Sequence, residues 1–369
     1  MIAVSSVIDG GRTDAAVPLE ADDLEAWAER NLPRMVFDFV AGGAGAEVTM
    51  EDNRQAFARC KLLPRHLRNV ESVDASIEIL GLSLDAPILV APMALHRLMH
   101  GDGERGMARA ASAAGLAMVF STAASQSIEE VGSEGCPLWF QLYMQKDRGV
   151  TRDLVARAVD SGVRAMCLTV DTPVPGLRRR DIVNDFRLPD GIGYANLDRY
   201  AGSPHSDNRY GATLDRSATW EDVEWLRSVS GLAVVVKGVL TVDDARAALD
   251  SGAAAVGVSN HGGRQLDGAP ATIDVLPVIA EAVDGDGVVL VDGGIRRASD
   301  IAAALCLGAD AVLIGRPALW ALAYGGEAGA RRFLTNLVDD LVRTLTLLGA
   351  RTVSELNTSL VWKQDVTAR

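Results

Sequence analysis

The segment SNHGGRQLDG, residues 259–268, combines residue types that can bind a ligand and transfer a proton. An imidazole, His261, and a guanidinium, Arg264, stand three residues apart among glycines, directly after the apolar run AAAVGV. Histidine exchanges a proton near neutral pH, and arginine grips carboxylates and phosphates. Because glycines leave the backbone open to close approach, the segment predicts a ligand site with two side chains that can carry charge.

A lysine ends another apolar run, VVVKG, at Lys237. Burying an ammonium group costs free energy unless a negative charge lies beside it, so the position predicts an anionic partner. That partner is either a bound anion or a carboxylate of the chain such as Asp292, and the spacing leaves both alternatives open.

Two glycine-rich segments near the end of the chain also contain arginines, in VDGGIRRASD and LIGRPA. Glycine amides, a helix N-terminus and arginines together bind phosphate dianions. The predicted phosphate ligands are Arg296 and Arg316, with the backbone of Gly293, Gly294 and Gly315; surface arginines beside ordinary turns are the alternative.

These residues must be positioned by the eight apolar runs that alternate with segments of helical periodicity from about residue 87 onward. Such alternation is typical of βαβ units and a parallel sheet. Recurrent helix–Gly–strand junctions, as in AAG-LAMVF and CLG-ADAVL, favour a closed α/β barrel, the (β/α)8 or TIM barrel, over an open doubly wound sheet. The predicted strands are 87–93, 116–122, 138–144, 164–171, 232–238, 254–260, 287–293 and 310–316.

The chain is predicted to form a single domain of three parts. Residues 1–86 form an N-terminal helical cap with a small strand pair near SIEILGLSL, 87–324 form the barrel, and 325–369 form a C-terminal helix and tail. The connection 172–218, between the fourth and fifth strands, is long, polar and aperiodic in its second half. Because such segments are often functional, we expect a mobile lid over the site, with an inert linker as the alternative.

Active sites of these barrels form at the carboxyl ends of the strands. In this chain unusual polar or small residues lie at or just after the carboxyl ends of all eight runs, which a satisfied polar group at a single strand end would not explain. They are Met93, Ala94, Ser121, Gln141, Tyr143, Thr169, Asp171, Lys237, Ser259, His261, Asp292, Gly315 and Arg316.

The composition narrows the class of partner. The 369 residues include 36 Lys and Arg against 49 Asp and Glu, a formal net charge of -13, which argues against nucleic-acid or anionic-membrane binding. The start of the chain has no basic leader and no apolar run approaches a membrane span, so we expect a cytoplasmic protein. The spacing of cysteines and histidines predicts no metal site. We expect the cysteines to be free thiols, namely Cys60, Cys136, Cys167 and Cys306. The remaining histidines are expected to be structural or surface residues, namely His66, His96, His100 and His205.

The motifs PILVAPMA, STAASQSIEE, WFQLYMQKDR, LTVDTPVPGLRRRD, VVVKGV, SNHGGRQLDG, LVDGGIRR and VLIGRPALW, in this order, resemble the FMN-dependent 2-hydroxy acid oxidase and dehydrogenase family. That family includes glycolate, lactate and mandelate oxidases. The resemblance extends from about residue 24 to 349 and implies FMN as cofactor, a 2-hydroxy acid as substrate and a homotetramer.

The resemblance also implies roles for individual residues. His261 matches the catalytic base and Asp171 the carboxylate behind it, while Arg178 and Arg264 match the pair that holds the substrate carboxylate. Tyr143 matches a tyrosine that hydrogen-bonds the substrate. The flavin contacts implied are Pro92, Met93, Ala94, Ser121, Gln141, Thr169, Lys237, Ser259 and Asp292.

Two substrate-pocket positions depart from many relatives. Phe39 replaces a tyrosine whose hydroxyl helps bind the substrate carboxylate, and a hydrogen bond to a charged group contributes about 1.5–3 kcal/mol. Ala123 stands where glycolate-oxidising relatives have a tryptophan, which opens room for an aromatic ring. We therefore expect an (S)-2-hydroxy acid such as mandelate or 4-hydroxymandelate, with lactate or a longer aliphatic acid as the alternative.

Other activities stay open at this point. A soluble oxidase that passes electrons to oxygen and makes hydrogen peroxide is preferred over a dehydrogenase with another acceptor, because the sequence contains no appended haem-like domain. An FMN-dependent isomerase on the same barrel, or a flavin-binding protein without turnover, would not need His261 together with both arginines.

Overall fold

The computed structural model describes residues 20–200, 211 and 213–362, and every structural statement below concerns those residues. The N-terminal part consists of three helices, a short strand and a two-stranded hairpin. The elements are α1 (Ala21–Asn31), α2 (Arg34–Ala41), α3 (Val48–Arg59), β1 (Lys61–Leu62) and the antiparallel hairpin of β2 (Ile77–Ile79) and β3 (Leu82–Leu84).

Eight parallel strands follow and close into a barrel, which confirms the predicted fold class. The barrel closes where Val312 of its last strand pairs with Ile88 of its first. Each strand is short and buried on both faces, which is why the runs read as continuous Val, Ile, Leu and Ala rather than as alternating patterns. The strands are β4 (Ile88–Val90), β5 (Ala117–Ser121), β6 (Leu138–Leu142), β7 (Ala165–Thr169), β8 (Ala233–Val239), β9 (Ala255–Val258), β10 (Val288–Val291) and β11 (Ala311–Ile314).

Helices surround the barrel on its outer face. The predicted helix–Gly–strand junctions have the expected conformation, since Gly115, Gly162, Gly252 and Gly308 all have φ between 68° and 103°. The helices are α4 (Gly103–Ala113), α5 (Ile128–Gly132), α6 (Arg148–Asp160), α7 (Arg179–Val183), α8 (Glu221–Ser230), α9 (Val242–Asp250), α10 (Thr272–Val283), α11 (Ala298–Cys306) and α12 (Arg316–Leu348), followed by β12 (Val361–Trp362), which pairs with β1.

The barrel interior is filled with apolar side chains and is closed at its amino end. Leu89, Trp139 and Leu313 belong to the interior cluster, and Ile79 and Leu84 of the β2–β3 hairpin pack against it. In the part of the chain that the structure describes, the polar residues lie at the opposite end of the barrel.

The long connection 172–218 contains α7 and a packed turn. The backbone N–H of Ala195 donates to the carbonyl of Ala124 at 3.0 Å, and buried Asn196 accepts a hydrogen bond from the N–H of Ile128 at 3.0 Å. The part that contains these residues is thus held against the loop after β5. Residues 201–210 and 212, and with them His205, lie outside the described part, and the predicted mobility of the segment stays a prediction.

Residues 325–348, in the segment expected to form the C-terminal helix and tail, are the second part of α12, which bends where Gly325 and Gly326 leave helical geometry. In the described residues no helix has the combination of length and apolar composition needed to cross a bilayer. Cys136, Cys167 and Cys306 are buried and Cys60 is half-buried. His96 is buried, His100 half-buried and His66 exposed.

Candidate active site

A cavity opens at the carboxyl ends of the barrel strands, between the barrel and the N-terminal helices. All predicted site residues except Gln141, Asp171 and Ser259 line it, and those three each contact a residue that does. The lining residues predicted from the sequence are Phe39, Pro92, Met93, Ala94, Ser121, Ala123, Tyr143, Thr169, Arg178, Lys237, His261, Arg264, Asp292, Gly293, Gly294, Arg296, Gly315 and Arg316.

His261 lies three residues beyond the end of β9, in a turn that aims its ring at a carboxylate. Its φ of 59° is unusual for a residue with a Cβ, and its backbone N–H donates to the Ser259 hydroxyl at 3.0 Å. Nδ1 lies 2.9 Å from Oδ1 of Asp171, while Nε2 lies 3.5 Å from the Tyr143 hydroxyl. A carboxylate at Nδ1 favours the tautomer with the proton there, which leaves Nε2 as the basic nitrogen facing the cavity.

Asp171 is held as an anion. Burial alone would raise its pKa, but the charge and hydrogen bond of His261, together with the charge of Lys237, lower the pKa overall. The Thr172 hydroxyl donates at 2.8 Å to Oδ1 of Asp171, the oxygen that also contacts His261. β8 passes so close to Asp171 that position 238 requires glycine. Its φ is 115°, and a Cβ there would lie 2.7 Å from the Cβ of Asp171.

Burial raises the pKa of Tyr143 to about 12, and the charge of Asp171 acts in the same direction. The phenol therefore keeps its proton at neutral pH and can donate a hydrogen bond into the cavity.

Lys237 pairs with Asp292, one of the two alternatives that the sequence left open. The distance from Nζ to Oδ2 of Asp292 is 2.9 Å, and Nζ also donates to the Ser259 hydroxyl at 2.9 Å. Burial acts to lower the pKa of Lys237, but the nearby charges of Asp292 and Asp171 raise it overall. The ammonium group is therefore charged and fully buried at the base of the cavity.

Two predicted cofactor contacts each have a buried polar atom with no hydrogen-bond partner among the described residues. These atoms are Nε2 of Gln141, whose Oε1 accepts from Ser121 at 3.0 Å, and Oδ1 of Asp292. Buried polar groups are nearly always paired, so the two atoms suit a ligand that offers an acceptor to one and a hydroxyl to the other.

Two arginines flank the aromatic ring of Phe39. The guanidinium carbons of Arg178 and Arg264 each lie 5.6 Å from the centre of that ring. Arg178 pairs with Asp181 at 3.0 Å, and Nη1 of Arg264 donates to the Gly42 carbonyl at 2.6 Å. Position 39, singled out from the sequence, thus lies between the two predicted carboxylate ligands.

The guanidinium of Arg264 has no carboxylate within 4.0 Å among the described residues. Burial, and then the charges of Arg178 and Arg316, lower the pKa of Arg264 well below its usual value. Uncompensated positive charge of this kind in a buried site favours an anionic ligand. The chemistry available here is therefore binding of a carboxylate next to a histidine base.

Sequence reasoning missed two aromatic residues at this end of the cavity. Phe186 stacks on Phe39 with ring centres 4.4 Å apart and planes 10° from parallel. Tyr194 lines the cavity from the connection 172–218. No local pattern distinguishes these residues from other aromatic residues in a long connection.

The predicted phosphate ligands lie at the other end of the cavity, close to the cap. Gly293 and Gly294 have φ values of 91° and 87°, and both arginines line the cavity. Each arginine nevertheless has protein partners: Arg296 forms ion pairs with α1, and Arg316 donates to three backbone carbonyls, those of Val40, Gly42 and Gly262. Burial and the charge of Arg296 lower the pKa of Arg316 to about 10.

Comparison with known proteins identifies the family to which this chain belongs. The FMN-dependent dehydrogenase family matches residues 28–363. An L-lactate oxidase of Nostoc sp. is 46% identical over 362 residues, which cover 95% of this chain and 99% of the relative. Glycolate oxidase 3 of Arabidopsis thaliana is 44% identical over 343 residues, covering 91% and 93% respectively.

Solved structures agree with this assignment. A mandelate oxidase variant with (S)-mandelic acid superposes with a TM-score of 0.87 at 42% identity, over 94% of this chain and 98% of that one. Mandelate oxidase with (S)-4-hydroxymandelic acid superposes with a TM-score of 0.86 at 43% identity, over 91% and 97%. The chain is therefore an enzyme of the FMN-dependent dehydrogenase family, and its cofactor is FMN.

Proposed function

We propose that this enzyme oxidises an (S)-2-hydroxy acid to the 2-oxo acid and passes the electrons to oxygen, giving hydrogen peroxide. The observation that carries the proposal is the position of the Arg178 and Arg264 guanidinium groups beside the His261–Asp171 pair in one buried cavity. A substrate of this class has a carboxylate for the arginines and, on the adjacent carbon, a hydroxyl for the histidine.

The cavity has residues suited to hold the cofactor. Gln141 Nε2 and Asp292 Oδ1 lack protein partners, and these atoms fit a carbonyl or ring nitrogen and a ribityl hydroxyl of FMN. Buried Lys237 supplies positive charge for the electron-rich pyrimidine side of the ring. The further contacts proposed are Pro92, Met93, Ala94, Ser121, Thr169 and Ser259 around the ring, and Gly293, Gly294, Arg296, Gly315 and Arg316 around the phosphate.

In the proposed mechanism, Arg178 and Arg264 bind the substrate carboxylate and fix the orientation of C2. Nε2 of His261 takes the hydroxyl proton, and Asp171 stabilises the imidazolium ion that results. Tyr143, which keeps its own proton, donates a hydrogen bond to the substrate oxygen. FMN, when bound, would supply the two-electron acceptor, so that the hydrogen on C2 leaves together with its electron pair while the hydroxyl proton goes to His261.

We propose mandelate or 4-hydroxymandelate as the substrate. Ala123 presents only a methyl group to the cavity and is 5% exposed, and Phe39 and Phe186 make the neighbouring wall aromatic. The likeness to mandelate oxidase structures supports this choice. The rival is lactate, because the L-lactate oxidase of Nostoc sp. is 46% identical to this chain.

A substrate panel tests the proposal. Purified holoenzyme is assayed for peroxide with (S)-mandelate, (S)-4-hydroxymandelate, (S)-lactate and glycolate, and we expect the two aromatic acids to give the highest kcat/KM. Ala123→Trp should reduce kcat/KM for mandelate by more than tenfold while changing the value for glycolate by less than threefold. Equal losses for both acids would show that the residue does not border the substrate side chain.

Two further parts of the proposal have their own measurements. Rapid reoxidation of the reduced enzyme by oxygen supports an oxidase, whereas slow reoxidation with rapid transfer to a quinone or dye would identify a dehydrogenase. The homotetramer implied by family resemblance is tested by the molar mass of the holoenzyme, measured by light scattering as it elutes from a size-exclusion column.

A further inference from the structure

The first helix of the chain reaches the phosphate end of the cavity with two carboxylates. Asp22 Oδ1 lies 2.7 Å from Nε of Arg296, and Glu25 Oε2 lies 2.5 Å from its Nη2. The Arg296 side chain is 11% exposed, and its Nη2 also donates to the Ala21 carbonyl at 3.3 Å. The arginine that sequence reasoning assigned to the phosphate is thus held by α1.

Glu25 is itself part of the cavity wall, together with Arg54, Arg296, Gly293 and Gly294. The negative charge of Glu25 also raises the pKa of Arg316, although the larger effect of burial lowers it. Glu25 therefore lies near both predicted phosphate ligands, Arg296 and Arg316. A carboxylate therefore lies at the end of the cavity proposed to bind the phosphate dianion of FMN.

The charges around Arg296 balance without any ligand. Three carboxylates and three guanidinium groups form one connected set of ion pairs, so the cluster offers no net positive charge. Its members are Glu20, Asp22, Glu25, Arg54, Arg296 and Arg297.

We propose that Asp22 and Glu25 compete with the FMN phosphate for Arg296 and thereby set the affinity of the enzyme for its cofactor. The pair is called the α1 latch below. Because the phosphate and the latch share one guanidinium, docking of α1 and binding of FMN are linked, and removing one carboxylate should tighten FMN binding. The proposal rests on FMN as the cofactor.

Riboflavin provides the decisive comparison, because it has the ring and ribityl chain of FMN but no phosphate. A latch that acts through the phosphate alters binding of FMN and leaves riboflavin unchanged. A latch residue that merely stabilises the fold alters binding of both flavins together.

The test uses full-length protein freed of flavin, with dissociation constants measured by quenching of flavin fluorescence at low ionic strength. Glu25→Gln should lower the Kd for FMN by about fivefold and change the Kd for riboflavin by less than twofold. The FMN effect should shrink at high salt, because screening weakens the charges involved. Asp22→Asn should act in the same direction.

Asp23→Asn is the matched control. Asp23 lies in the same first turn of α1, is exposed and has no carboxylate–guanidinium pair within 4.0 Å among the described residues, yet its change removes the same charge. It should leave both dissociation constants within twofold of the wild-type values. Circular dichroism of each variant without flavin establishes that it is folded.

The inference is overturned if Glu25→Gln weakens FMN binding, leaves it unchanged, or shifts FMN and riboflavin equally. Wild-type protein that binds neither flavin would overturn the proposed function as well. Wild-type protein that binds FMN, with no effect of the latch variants, would overturn the latch alone.

Discussion

Replacing Asp171 by asparagine removes the negative charge behind His261 with almost no change in volume. In the structure the two side chains form a contact of 2.9 Å, and Asp171 is held as an anion mainly by His261. Asparagine cannot stabilise an imidazolium ion by charge, and its amide can also turn the ring nitrogens to the wrong tautomer. The step in which His261 takes the hydroxyl proton should therefore slow, while binding of the substrate carboxylate should not change.

The size of the effect follows from the hydrogen bond that is lost. A hydrogen bond to a charged group contributes about 1.5–3 kcal/mol, which corresponds to a rate decrease of about 10- to 150-fold. Thr172→Val is the control, because it removes the neutral donor to the same Asp171 oxygen at 2.8 Å. Because Asp171 is an anion both before and after the proton transfer, this hydrogen bond is present in both states, and its removal should lower the limiting rate by less than about threefold.

The assay is anaerobic stopped-flow reduction of the bound flavin, followed by its absorbance across a range of substrate concentrations. Asp171→Asn should lower the limiting rate and leave the Kd for substrate within threefold of wild type. A limiting rate within threefold of wild type, or a loss confined to the Kd, would refute the role assigned to this carboxylate.

Three other contacts in the structure lead to testable expectations. Phe39→Tyr, which adds a hydroxyl between Arg178 and Arg264, should lower KM for glycolate by about tenfold at unchanged kcat, and an unchanged KM in steady-state assays would contradict it. Asp38→Asn should destabilise the fold at neutral pH but not in acid. Burial acts to raise the pKa of Asp38, but the hydrogen bonds that its carboxylate accepts lower the pKa overall. The ionised carboxylate therefore stabilises the fold at neutral pH, and this stabilisation disappears as the pH falls through the lowered pKa. Urea unfolding at neutral pH and at pH values well below 3.8 checks this, and a pH-independent difference between the proteins would contradict it. Gly238→Ala should lower Tm by several degrees, since its Cβ would lie 2.7 Å from the Asp171 Cβ; a Tm equal to wild type in calorimetry would contradict the close approach.

Most of the barrel could be predicted because its determinants are local. Each strand is a buried run of branched residues, and Gly115 or Gly308 ends a helix through a left-handed conformation that other residues adopt poorly. The polar residues at or just after the carboxyl ends of the strands converge in one cavity because all eight strands are parallel. Sequence position alone therefore brings His261 and Lys237 to the same end.

The remaining features depend on contacts between distant parts of the chain. Arg296 pairs with Glu25, which lies 271 positions away, and nothing near either residue indicates the other. Phe186 stacks on Phe39 only because the connection after β7 folds back over α2. A phosphate role for Arg296 could be predicted from its glycine-rich surroundings, but its competing carboxylates could not.

In the proposed reaction His261 removes the substrate hydroxyl proton while the hydrogen on C2 leaves with its electron pair, for which FMN would be the acceptor. The most direct measurement is the loss of flavin absorbance when (S)-mandelate or (S)-lactate is added without oxygen to wild-type holoenzyme and to His261→Asn. Wild-type flavin should be reduced within the stopped-flow time range by at least one of the two acids, and flavin of the variant more than a hundredfold more slowly at equal FMN content. Reduction of both proteins at similar rates, or of neither by any 2-hydroxy acid, would contradict the account.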